Sequence, residues 1–135
     1  MARILVVDDE PLISELTGDW LSELGHVVVG PAHSLAAALK LVEMDLDAAI
    51  VDVALGKDMS YPLADVLSAR GVPFALASGY GQDGIEPRYR SRSTLGKPFE
   101  FATFSRVVDQ LLAEGRTPEA RAGRADPPLS QRSVD

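Results

Sequence analysis

The sequence predicts an α/β domain: a doubly wound parallel sheet of five strands with helices on both faces. Short, continuous apolar runs rich in β-branched residues, such as Ile4 to Val7 and Ala48 to Val51, belong to strands buried on both faces. Between these runs, apolar residues recur at helical spacing. Regular alternation of the two element types implies parallel strands joined by helical crossovers.

The first strand runs into Asp8, Asp9, Glu10 and Pro11, which read as a cap, an acidic first turn and a proline where a helix tolerates one. Ile13, Leu16, Trp20 and Leu24 then follow helical spacing, with Trp20 as a packing residue, and Gly25 closes the helix. Val27 to Val29 is the second strand. Ser34 caps a second helix carrying Leu35, Leu39 and Val42, and Ala48 to Val51 is a third strand ending at Asp52. A loop containing Gly56 leads to a third helix with Leu63, Val66 and Leu67, ended by Gly71. Pro73 to Ala77 is the fourth strand, broken by Ser78-Gly79. The fifth lies near Thr94 to Gly96, before Lys97-Pro98 and a last helix with Phe101, Phe104, Val108 and Leu111 on one face. Residues 82 to 93 are the weak link. Gly84, Pro87 and the charges Arg88, Arg90 and Arg92 leave little apolar periodicity for a fourth helix, which is expected to be short or mobile, and the arginines read as a solvated charge run.

Residues 1 to 115 form the expected domain. From Arg116 to Asp135 large apolar side chains nearly vanish, so the stretch buries too little surface to offset its ordering entropy and reads as a disordered tail. The tail is too short for a second folded unit. A net charge of −7 repels phosphate backbones and anionic lipid, which argues against direct nucleic-acid binding. With no cysteine, thiolate metal sites and cysteine nucleophiles are excluded, and a reducing compartment fits. The chain opens directly on strand residues, leaving no room for a leader, and no apolar run approaches the ~18 residues of a membrane span. A cytoplasmic protein is the expectation.

In an open parallel sheet, ligands bind beyond the carboxyl ends of the strands, where strand order reverses. With strand order 2-1-3-4-5, the first, third, fourth and fifth strands bring Asp8, Asp9, Asp52, Ser78 and Lys97 to one edge. The second strand, followed by Gly30-Pro31, adds nothing polar. Crowded carboxylates repel unless a cation shares their site, and Mg²⁺, which takes hard oxygen ligands and bridges to phosphate, is the natural occupant, with Mn²⁺ as a substitute. Asp52 stands alone at its strand end, suited to attack phosphorus as a carboxylate nucleophile. Lys97 and Ser78 would neutralise and hydrogen-bond the transferring group. His26 and His33 have no acid or second histidine at ligand spacing and read as surface residues.

The runs Val7-Asp8-Asp9-Glu10-Pro11, Val51-Asp52, Ala77-Ser78-Gly79 and Leu95-Gly96-Lys97-Pro98-Phe99 resemble the signature set of bacterial response regulator receiver domains, over about residues 3 to 113. Pro73 to Gly81 is similar to the PFxFATGY motif of a subgroup of single-domain, alphaproteobacterial receivers. The resemblance implies a flavodoxin-like (CheY-like) fold, direct metal binding by Asp9, Asp52 and the backbone carbonyl of Ala54, and a water-mediated role for Asp8. It also implies phosphorylation of Asp52 by a sensor histidine kinase or histidine phosphotransfer protein, phosphoryl contacts from Ser78 and Lys97, and a cis peptide between Lys97 and Pro98. Two residues depart from the common pattern. Ser78 replaces threonine but keeps the hydroxyl, while Thr94 replaces the usual aromatic three residues before the lysine, so Tyr80 is the substitute aromatic handle.

The function so implied is a single-domain response regulator of a two-component phosphorelay. It signals by phosphorylation-dependent protein binding through the fourth helix, fifth strand and fifth helix, or drains phosphoryl groups from a shared kinase. It is not an enzyme beyond its own phosphorylation and dephosphorylation. The alternative is a Mg²⁺-dependent phosphohydrolase working through an aspartyl phosphate, but such enzymes want a second acid two residues after the nucleophile, where this chain has Ala54.

Overall fold

A computed structural model describes residues 2–79, 84–89 and 92–115; the expected tail from Arg116 to Asp135, and Tyr80, Gly81 and Arg90, lie outside them. The central sheet contains β1 (Arg3–Val7), β2 (Val27–Ala32), β3 (Ala48–Asp52), β6 (Phe74–Ser78) and β7 (Ser93–Gly96), all parallel, in the order β2-β1-β3-β6-β7. A two-stranded hairpin, β4 (Ala54–Leu55) and β5 (Asp58–Met59), follows β3. With the hairpin set aside, this is the expected 2-1-3-4-5 arrangement. Helices α1 (Pro11–Glu23), α2 (Leu35–Leu41), α3 (Tyr61–Ala69) and α4 (Phe101–Glu114) complete the architecture. Among the described residues no helix is long and apolar enough to cross a membrane.

Side chains alternate across a strand, so each strand feeds two cores. Leu5, Val7, Ala49, Val51, Phe74 and Leu76 pack with α2 and α3 on one face. Ile4, Val6, Ala48, Ile50, Ala75 and Ala77 pack with α1 and α4 on the other. Phe104 of α4 is fully buried there, against Trp20 and Phe99 at ring-centroid distances of 5.4 and 5.7 Å. Phe104→Ala is expected to cost about 3–5 kcal/mol, measured by urea unfolding followed through the fluorescence of Trp20.

The first, second, third and last of the predicted helices are present, one of them with a rotated face. In α1 the buried residues are Ser14, Thr17 and Leu21, whereas Leu16, expected on the inner stripe, is 45% exposed. The two hydroxyls tolerate burial because they bond back to their own helix: Ser14 Oγ donates to the Pro11 carbonyl at 3.0 Å and Thr17 Oγ1 to that of Ile13 at 2.9 Å. Asp8 is not the cap of this helix; Glu10 holds that position without a side-chain cap bond. Ser34 does cap α2, accepting the Ala37 N–H at 3.1 Å. β2 runs past the expected Val29 to Ala32, and cis peptides occur at both Gly30-Pro31 and Lys97-Pro98. Gly30, at φ +95°, has no room for a side chain, since a Cβ would sit 2.8 Å from the Ala32 nitrogen.

Between β6 and β7 the described residues include a 3-10 turn, Pro87–Tyr89; residues 82, 83, 90 and 91 of the span expected to hold a short or mobile fourth helix lie outside them. This segment is held by α3. The Tyr61 hydroxyl accepts the Glu86 N–H at 2.8 Å, Tyr61 and Tyr89 stack at 5.9 Å, and Asp65 takes both the Tyr89 hydroxyl and, at 2.7 Å, the Arg88 guanidinium. Burial and the Asp65 contact push the Tyr89 phenol up to about 12. Arg92 donates to Ser68 Oγ at 2.7 Å and lies over the Phe74 ring. Arg88 and Arg92 are exposed, as the charge run implied, and their pairing with α3 is what spacing alone does not disclose.

Candidate functional site

Strand register gathers the site. Val7 pairs with Val51, so Asp8, one residue beyond β1, falls beside Asp52. Asp52 pairs with Ala77, and Ser78 with Gly96, which sets Ser78 and Lys97 one step further along the same carboxyl edge. The Lys97 N–H donates to the Ser78 carbonyl at 2.9 Å, and Ser78 is buried.

Lys97 joins the acids. Its Nζ lies 2.8 Å from Asp52 Oδ2, 3.0 Å from Asp8 Oδ2 and 3.7 Å from Glu10 Oε1. Asp8 and Asp52 are buried. Carboxylate oxygens of Asp8, Asp9, Glu10 and Asp52 all fall within 4.8 Å of one another, which is a hard-oxygen donor set for a divalent cation. Asp9 Oδ2 accepts the Gly56 N–H at 2.9 Å, tying the β4–β5 hairpin to the site. Ala54, exposed two residues past Asp52, donates its N–H to Asp52 Oδ1 at 3.3 Å.

The electrostatics follow from this crowding. Burial pushes the Asp52 carboxyl up to about 6, Lys97 pulls against that rise, and the neighbouring Asp8 charge adds to it. For Lys97, burial works to lower the ammonium, but its hydrogen bonds to Asp52 and Asp8 prevail and raise it. The edge is thus a cation-seeking cluster with one ammonium already inside it.

Sequence reasoning missed two neighbours. Glu10, read as a first-turn acid, stands with the cluster; three consecutive acids after a buried strand were the available signal. His33, read as a surface residue, is exposed as expected, and its Nδ1 lies 3.0 Å from the Asp8 carbonyl oxygen beside the site. His26 is half-buried rather than superficial, accepting the Ala2 N–H at 3.2 Å, and burial lowers its imidazole below the ordinary value.

Solved structures share this frame. SdrG from Sphingomonas melonis Fr1 is 40% identical, over 84% of this chain and 95% of that one, with a TM-score of 0.71. The response regulator TrrA from Thermotoga maritima, solved in complex with Mg²⁺-BeF, is 28% identical over 83% of this chain and the whole of that one, with a TM-score of 0.73. The chain belongs to the response regulator receiver family. Receivers are the phosphorylated partners in two-component signalling, and the likeness to SdrG and to PhyR places this one with alphaproteobacterial receivers. Among curated relatives, the Phyllosphere-induced regulator PhyR of Methylorubrum extorquens is 29% identical over 115 residues, 82% of this receiver. The receiver spans 43% of PhyR and 62% of the transcriptional regulatory protein PdtaR of Mycobacterium tuberculosis. No protein-family model matches the chain.

Proposed function

We propose that this receiver accepts a phosphoryl group on Asp52 from a sensor histidine kinase or a histidine phosphotransfer protein, acting as a single-domain cytoplasmic response regulator whose folded unit is residues 1–115. The observation that carries the reading is the placement of a buried Asp52 2.8 Å from Lys97, inside a cluster of four acids at the carboxyl edge of the sheet. SdrG, the 40%-identical relative, has also been solved in a BeF₃-activated conformation, and beryllofluoride mimics an aspartyl phosphate.

The donor set fits Mg²⁺, with Mn²⁺ as a substitute: Asp8, Asp9 and Asp52, together with the Ala54 carbonyl, would hold it. Bound there, the ion supplies charge neutralisation and orientation for a phosphoryl group. A carboxylate oxygen of Asp52 forms the new O–P bond while the N–P bond of a phosphohistidine breaks, and the imidazole departs with the bonding pair. The Lys97 ammonium balances negative charge on the transferring group, and the Ser78 hydroxyl donates to one of its oxygens. The phosphohydrolase alternative lacks support, because exposed Ala54 has no acid to protonate a leaving group.

Phosphorylation then biases the face formed by the Gly84–Tyr89 segment, β7 and α4, which a downstream protein reads; loss of phosphoryl groups from a shared kinase is the other output. The protein is not an enzyme in the sense of acting on an external substrate. Incubation with autophosphorylated histidine kinases and Mg²⁺ should add one phosphoryl group, and borohydride reduction of the acyl phosphate should place it at Asp52. Transfer undiminished by a chelator, or label on any other side chain, would overturn the reading.

A further inference from the structure

Glu10 is the one acid of the cluster that the phosphoryl-acceptor reading leaves without a task. Its carboxylate is 3.7 Å from Lys97 Nζ and 59% exposed, whereas Asp8 and Asp52, at 3.0 and 2.8 Å, are each 8% exposed. Asp8 links the group: Oδ1 accepts the Glu10 N–H at 2.9 Å and Oδ2 faces Lys97. An ammonium carries three N–H donors, and here three carboxylates surround it.

That arrangement meets a demand of the acceptor reading. If Asp8 turns to a cation and Asp52 becomes an acyl phosphate, both buried partners of Lys97 take up new ones. A largely buried ammonium whose compensation is withdrawn is costly and free to swing away. Glu10, hydrated on its outer side, is bound to neither change.

We propose that Glu10 is a positioning residue for Lys97, keeping the ammonium over the site after Asp8 and Asp52 have changed partners, so that it meets the phosphoryl oxygens. The inference rests on Asp52 being the acceptor. It predicts a dependence that runs through Lys97, not through the cation.

The probe is beryllofluoride with Mg²⁺ on the full chain, read by the fluorescence of Trp20, whose ring is 6.0 Å from that of Phe99, two residues past Lys97. Glu10→Gln should weaken beryllofluoride binding about fivefold, the scale of a half-exposed ion pair. Mg²⁺ binding measured without beryllofluoride should change less than about twofold, and in a Lys97→Met background the Glu10 substitution should have no further effect. An equal loss with and without Lys97 would overturn the proposal, and so would a fall in Mg²⁺ affinity of about tenfold or more, which would make Glu10 a metal ligand. If the unaltered protein binds beryllofluoride, such a result strikes Glu10 alone. If it does not bind, the acceptor reading fails and takes this inference with it.

Discussion

Asp52→Asn should raise the thermal midpoint of the metal-free protein at neutral pH while abolishing phosphoryl transfer to it. Burial pushes the Asp52 carboxyl from 3.8 to about 6, so the folded chain holds this proton more tightly than the unfolded chain does. Stability from that proton is complete below about pH 4 and is lost as pH rises through about 6. The ionised site therefore costs the native state about 2–3 kcal/mol at pH 7. Asparagine keeps the shape and an acceptor for Lys97 without the charge. Lys97 is not orphaned by the change, because Asp8 stays 3.0 Å away. Urea unfolding from pH 4 to 8 should show a fall in stability through pH 6 in the unaltered protein that the variant lacks. Adding Mg²⁺ should narrow the gap from the other side, by stabilising the charged site. A variant that loses stability with pH as steeply as the parent would sink the assignment of that slope to Asp52.

Lys97→Met should act in the opposite direction on stability and in the same direction on transfer. It removes the ammonium that lies 2.8 and 3.0 Å from two buried carboxylates, leaving like charges together without that compensation. Breaking a buried pair in this way destabilises by about 3–5 kcal/mol. Mg²⁺ should restore part of that loss, since a cation can take over the neutralising role. Transfer onto Asp52 should slow by about 10²–10³-fold, the usual consequence of deleting a preorganised group that meets charge developing in the transition state. Rapid-quench transfer kinetics and urea unfolding, each with and without Mg²⁺, check the two halves separately. A methionine variant as stable and as fast as the parent would mean that Lys97 is a bystander at this edge.

The two variants share a cause. Asp52 and Lys97 are bound by an ion pair, yet one is destabilising when charged and the other stabilising, because burial penalises the Asp52 charge by more than Lys97 offsets and the neighbouring Asp8 charge adds to the imbalance. The same imbalance suits the site to a divalent cation.

Much of this was legible in the chain itself. Buried strands announce themselves through unbroken β-branched runs, and a parallel sheet needs nothing more than their alternation with helices. Asp8, Asp52, Ser78 and Lys97 were legible as neighbours because each stands at or just beyond the end of a strand, and strand ends in such a sheet converge. The cap at Ser34 and the closing glycines follow from local chemistry alone.

Tertiary structure decided the rest, wherever a residue had two locally acceptable states. Ser14 and Thr17 took the buried face of α1 and Leu16 the open one, which costs little because hydroxyls that bond back to their own helix stay satisfied when buried. The 3-10 turn Pro87–Tyr89 is held by Tyr61 and Asp65, more than twenty positions earlier, through the Glu86 N–H and the Tyr89 hydroxyl. Glu10 joined the site because Asp8 holds its N–H and turns the chain toward Lys97. Composition and spacing fix which residues prefer to be inside and which strand end carries an acid. Which of two permitted faces, turns or ion pairs is taken depends on long-range contacts, whose partners are adjacent only after the chain has folded.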